Sequence, residues 1–144
     1  MENELVKEGD GILCPIAVMI KEGKVLCGYR NYTKDVYKDI SVWTLPGGRS
    51  QKGETIEEAL KREILEEVGI TKFKIKDFIG EKPGRKAGSI MLVFHTTTEQ
   101  DAKLMEPHKF SEWKWVPIPE YIREEKYGHL NPEVQKIIIS YLSR

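Results

Sequence analysis

Apolar and polar positions along the chain fall into a few distinct patterns. The run from Ile12 to Ile20, ILCPIAVMI, is almost continuously apolar and rich in β-branched residues. That pattern marks a strand buried on both faces, with Pro15 near its start or at a bulge. A turn at Lys21 to Lys24 and a second run from Val25 to Arg30 complete a hairpin. Val42 to Gly48, VWTLPGG, reads as a short strand that stops at Pro-Gly-Gly. Phe73 to Gly80 alternates, Ile90 to Thr98 is apolar through most of its length, and Trp113 to Ile118 is a further strand. Polar stretches separate them: a loop at Asn31 to Ser41, a Gly-rich basic loop at Glu81 to Ser89, and a connection at Glu99 to Glu112.

Helical spacing appears elsewhere. Ile56, Ala59, Leu60, Ile64 and Val68 form one stripe on a helix from about Thr55 to Val68. Thr55 and Glu58 have the spacing of a capping box, and Gly69 supplies the left-handed residue that ends the helix. A short helix begins in PEYIREE. Asn131 caps a terminal amphipathic helix that has Pro132 at its first position and runs to Leu142. Strands mixed with helices, without strict alternation, predict an α/β fold in which helices cover a mixed sheet.

The carboxylates of the long helix do not fit a merely solvated face. With each residue turning about 100° and Leu60 set at zero, Glu67 falls near −20°, Glu63 near −60° and Glu66 near −120°. Glu67 therefore points from the middle of the apolar stripe and Glu63 from its flank. Glu57 and Glu58 complement the helix dipole in the first turn, whereas Glu66 and Glu67 oppose it near the other end. Acids crowded into one sector repel, and a buried one is costly unless paired. A hard divalent cation such as Mg²⁺ or Mn²⁺ removes the conflict. The Gly pair after Pro46 lets backbone approach a ligand closely, so a carbonyl there can join the carboxylates.

Composition narrows the partners. The 144 residues suit one domain, spanning 1–144, and the charged fraction of 32% fits a soluble chain. Lys+Arg 23 balance Asp+Glu 23, so no overall basic field argues for a nucleic-acid polymer. Cys14 and Cys27 form no ligand pattern and read as reduced core thiols, which fits a cytoplasmic protein. No signal peptide is visible, and no apolar run is long enough to cross a membrane. Dimers are the commonest homo-oligomers, so a homodimer is one open alternative to a monomer.

Gly48, Glu54, Arg62, Glu63, Ile64, Glu66, Glu67, Gly69 and Ile70 follow G-x5-E-x7-R-E-U-x-E-E-x-G-U, where U is a bulky aliphatic residue. This pattern, over residues 48–70, resembles the signature of the Nudix hydrolases without departure. The resemblance implies a Nudix-type α/β/α sandwich with a mixed β-sheet. It implies metal-dependent hydrolysis of a nucleoside diphosphate linked to another group. The leading expectation is cleavage of a nucleoside triphosphate to monophosphate and pyrophosphate, as in nucleotide-pool sanitation. The alternatives are ADP-ribose or nucleotide-sugar hydrolysis, dinucleoside polyphosphate hydrolysis, and a nucleotide sensor without turnover.

Carried over residue by residue, Glu63, Glu66 and Glu67 are the implied metal-binding and base-positioning acids, with the carbonyl of Gly47 a further ligand. Arg62 orients the catalytic glutamates, Glu54 braces the loop before the helix, and Gly48 and Gly69 shape the box. An acid from outside the box joins the metal in many relatives, and Glu112 or Glu106 is the expectation here. Arg30 and Arg85 are expected to hold phosphate. Tyr29, Tyr32 and Tyr37 are candidates for stacking on a base.

Overall fold

β1 (Leu13–Lys21) runs through the middle of one mixed sheet, and its sequence explains why it can. Cys14 through Met19 are all buried, so both faces of the strand are covered. The computed structural model describes residues 1–31 and 41–144. Most of the expected loop at Asn31 to Ser41, with Tyr32 and Tyr37, lies outside the described residues.

β1 pairs in parallel with β5 (Ile90–Thr98), from Leu13 opposite Ile90 to Ile20 opposite Thr97. β4 (Phe73–Pro83) flanks β5 antiparallel as an edge strand. On the other side, β2 (Lys24–Arg30) carries β6 (Phe110–Pro117) along its length. Its remaining edge is shared: β1 takes Lys24 and Val25, and β3 (Val42–Thr44) takes Gly28 to Arg30. Where β1 and β3 part, the following chain crosses to β1. Ala17 N–H donates to the Pro46 carbonyl at 2.9 Å, and Gly48 N–H donates to the Pro15 carbonyl at 3.1 Å. The Pro-Gly-Gly segment is thereby fixed against the central strand.

α2 (Ile56–Val68) follows. The Thr55 hydroxyl accepts from the Glu58 N–H at 3.2 Å, and the Glu58 carboxylate accepts from the Thr55 N–H at 2.8 Å, which closes the expected capping box. Gly69 ends the helix at φ 68°. The N-terminal segment after α1 (Glu2–Leu5) pins the start of α2, since Ile56 N–H donates to the Lys7 carbonyl and Gly9 N–H to the Glu54 carbonyl.

Alternation along β1 sends side chains to two cores. Ala17 and Met19 meet Ile56, Leu60, Ile64 and Val68 of α2 on one face. Ile16 and Val18 meet, on the other, Tyr121 of α3 (Ile118–Arg123), Tyr127 of a 3₁₀ turn (Glu125–Gly128), and Val134 and Ile138 of α4 (Pro132–Leu142). This is an α/β/α sandwich. Each fully buried aliphatic contributes roughly 1.5–3 kcal/mol, so the α2 stripe holds the helix firmly on the sheet.

Some boundaries differ from the sequence pattern. β4 continues past Gly80 to Pro83, a proline that an edge strand tolerates. β6 begins at Phe110 rather than Trp113, and β3 stops at Thr44. α1 and the 3₁₀ turn are too short to leave a periodic signal.

Candidate active site

The α2 acids are graded in burial in the order that helical spacing dictates. Glu67 is 7% exposed, and its Oε1 accepts the Gly47 N–H at 2.8 Å. The Glu63 side chain is 17% exposed and lies against Gly48. A Cβ on Gly48 would stand 2.6 Å from the Glu63 carboxyl carbon. Glu66 is the outermost, with its side chain 50% exposed. Gly47 has φ 141°, and a Cβ there would collide with the Pro15 carbonyl and lie 2.6 Å from Ile16 Cα. Gly47 is thus required by its close approach to the β1 backbone, and Gly48 leaves room for the Glu63 carboxylate.

Arg62 organises the outer acids. Its Nε and Nη2 donate to the two Glu54 oxygens at 3.0 and 2.7 Å, and Nη2 also donates to the Arg49 carbonyl at 3.0 Å. Nη1 donates to Glu63 at 2.9 Å and reaches Glu66 at 3.4 Å. The planar fork is used in full, as suits arginine. Glu54 in turn accepts the Gln51 N–H at 2.7 Å, which ties the loop before α2 to the helix.

Charge and burial pull the carboxyls in opposite directions. Burial raises the Glu67 pKa well above the ordinary carboxylate value, against the lowering effect of the Gly47 N–H. The negative charges of Glu63 and Glu106 raise it further, and Arg30 opposes them. Burial also raises Glu63, against the bond and charge of Arg62. Glu54, paired with Arg62, is held below its ordinary value.

These groups open on a cleft of about 840 Å³. Glu63, Glu67, Gly47 and Gly48 line it from the α2 side. Arg30 of β2, Phe110 of β6 and Lys109 of the turn before β6 line it on one side, and Arg85, Lys86 and Ser89 line it from the β4–β5 loop. Arg49 also reaches it, and buried Cys14 lies in its wall. Arg30 stacks its guanidinium over Phe110 at 5.7 Å. The expected phosphate contacts Arg30 and Arg85 thus stand on different walls of one cleft.

Glu112 is not brought to this site. It is exposed and does not line the cleft. Phe110 pairs with Arg30 and Glu112 with Tyr29, so Ser111 is an extra residue in a β-bulge. Glu106 is the acid whose charge reaches Glu67, from a turn joined to α2 by Met105 N–H donating to the Glu67 carbonyl. Tyr29 makes an edge contact with Trp43, ring centroids 5.1 Å apart.

The donor set suits a hard divalent cation. Oxygen donors of Glu63 and Glu67 line the cleft beside Gly47, and positive charge there would relieve the raised Glu67 and Glu63. Among the described residues, no three acidic, His or Cys side chains form a closed ligand cluster, and Arg62 pairs with both Glu63 and Glu66.

A model of the NUDIX domain matches residues 15–136. The 8-oxo-dGTP diphosphatase of Buchnera aphidicola is 52% identical over 46 residues, which are 32% of this chain and 36% of that protein. The RNA pyrophosphohydrolase of Wolbachia sp. subsp. Brugia malayi is 28% identical over 135 residues, 79% of this chain and 80% of that protein. Among solved structures, the MutT protein of Methanosarcina mazei superposes with a TM-score of 0.72 at 21% identity, covering 92% of this chain and 95% of that one. That likeness is one of fold.

Proposed function

This chain belongs to the Nudix hydrolases, enzymes acting on pyrophosphate bonds, and from that premise we propose that it hydrolyses a nucleoside triphosphate to monophosphate and pyrophosphate. One observation carries the reading. The buried Glu67 and the adjacent Glu63 face a cleft whose walls bear Arg30, Arg49, Arg85, Lys86 and Lys109. Acids at the centre with cations around them suit a divalent cation and a chain of phosphates together.

Glu63, Glu66, Glu67 and the Gly47 carbonyl would hold Mg²⁺ or Mn²⁺, with Glu106 the outside acid in place of Glu112. Such an ion, when bound, neutralises phosphate oxygens and lowers the pKa of water. Arg62 keeps Glu63 aimed along α2 while its own charge stays balanced by Glu54. Glu63 accepts the proton of the attacking water, its carboxylate aimed by the Arg62 contact. Water oxygen bonds to phosphorus, the anhydride P–O bond breaks, and its electron pair leaves with pyrophosphate. Arg30 and Arg85 orient the phosphates from their separate walls.

The test is hydrolysis of a panel of natural and oxidised triphosphates, ADP-ribose and diadenosine polyphosphates with Mg²⁺, wild type against Glu67→Gln. Pyrophosphate and monophosphate from a triphosphate, lost in the variant, is the expected result. Cleavage of ADP-ribose or diadenosine polyphosphates alone would move the substrate to that class. Nucleotide binding with no turnover of any compound would defeat the enzymatic reading.

A further inference from the structure

Lys109 lies on the wall of the acidic cleft, and nothing in the signature pattern gives it a task. Its Nζ stands 3.6 Å from Glu106 Oε2, beyond a good hydrogen bond. Glu63 and Glu67 line the same cleft as Lys109. Lys109 thus pairs with Glu106 while lining the cleft that holds the acids of α2.

Its backbone is fixed while its side chain is not. Lys109 N–H donates to the Glu106 carbonyl at 2.9 Å, and Asn31 N–H donates to the Lys109 carbonyl at 2.8 Å. Lys103 and Met105 N–H groups tie the preceding segment to the carbonyls of Val68 and Glu67. The turn is therefore anchored to both α2 and β2. The ammonium, on a flexible stem and 42% exposed, is held by charge alone. Arg30, one strand away, faces the same cleft.

We propose that Lys109 is an exchangeable counter-ion: without metal it neutralises Glu106, and in the loaded site it contacts a phosphate of the substrate. The physical reason is competition. A divalent cation on Glu63, Glu67 and Glu106 takes over the anions that attract the ammonium and repels it. The nearest new anion is the phosphate chain entering the cleft. This rests on the triphosphate reading above and assigns one of its contacts.

The counter-ion role makes two affinities move in opposite directions, which structural damage does not do. In Lys109→Met, Mn²⁺ titrated alone, followed by electron paramagnetic resonance, is expected to bind about threefold more tightly, the scale of a partly exposed ion pair. With Mg²⁺ saturating, an α,β-methylene triphosphate analogue followed by calorimetry is expected to bind at least about tenfold more weakly, the scale of a hydrogen bond to charge. Lys109→Arg is expected to keep both affinities near wild type. Unchanged or weaker Mn²⁺ binding in Lys109→Met would overturn the counter-ion role, and unchanged analogue binding would overturn the phosphate contact. Turnover of the substrate panel, run alongside, keeps the readings apart. A wild type that binds the analogue but hydrolyses nothing defeats the enzymatic reading, while the two affinities still decide Lys109.

Discussion

The Gly47 N–H donates to the Glu67 carboxylate at 2.8 Å, joining the Pro-Gly-Gly segment to the buried acid of α2. One contact therefore couples β1, the loop and the helix. Gly47→Ala tests it. The new Cβ meets the Pro15 carbonyl and the Ile16 backbone, at a φ of 141° that side chains avoid. Strain at such positions costs of order 1–3 kcal/mol, and the collision adds to it. Denaturant unfolding of this variant should show a loss of at least about 2 kcal/mol. Hydrolysis should fall with it, because Glu67 loses its donor.

The raised pKa of Glu67 predicts a stability profile with a definite sign. A carboxyl whose folded pKa exceeds its unfolded value holds its proton more tightly in the native state. Stability is then greatest below the unfolded pKa and falls as pH rises from there through the folded pKa. In EDTA, the melting temperature of wild type should decline across that window, and Glu67→Gln should lose most of the decline. Added Mg²⁺ should raise the wild-type melting temperature increasingly as pH rises, since ligation needs the ionised acid. A Mg²⁺ effect of equal size in Glu67→Gln would remove Glu67 from the metal site.

Arg62 should resist conservative replacement. Its fork serves Glu54, Glu63 and the Arg49 carbonyl at once, and a lysine ammonium cannot span those positions. Arg62→Lys should cost about 1–3 kcal/mol of stability, on the scale of hydrogen bonds to charge. It should also reduce kcat more than it raises KM, because Glu63 loses its aim while the phosphate contacts remain. Glu54→Gln should show the stability loss in smaller measure, and its pH dependence has the opposite sign to that of Glu67. The lowered pKa of Glu54 means that its contribution is present above the unfolded value and fades as pH falls.

The helix was legible because its period is regular. Counting turns from Leu60 placed Glu67 in the apolar stripe, Glu63 on its flank and Glu66 outside, and in the fold they are buried, half-buried and exposed in that order. Thr55, Glu58 and Gly69 declared the ends in the same way. The placement of Glu112 and Glu106 was not legible. A bulge at Ser111 breaks the alternation of β6 before Glu112, and bulges leave no reliable mark in a polar stretch. Glu106 is placed by tertiary bonds to the end of α2, which local spacing does not encode. The two-walled grouping of Arg30 and Arg85 likewise depends on which strands flank β1.

Arg85 offers a separable test of the phosphate walls. It lies in the β4–β5 loop, where Gly84 N–H and the Ser89 carbonyl close a turn at 2.9 Å, and its side chain faces the cleft without a part in either core. Arg85→Ala should leave the unfolding free energy within about 0.5 kcal/mol of wild type, as surface substitutions do. KM should rise several-fold while kcat stays within about twofold, since uniform binding is lost without loss of transition-state contacts. The wild-type KM should also rise with ionic strength more steeply than that of Arg85→Ala, because salt screens one cation fewer in the variant. Equal salt dependence in the two proteins would place the Arg85 charge outside the reach of the substrate.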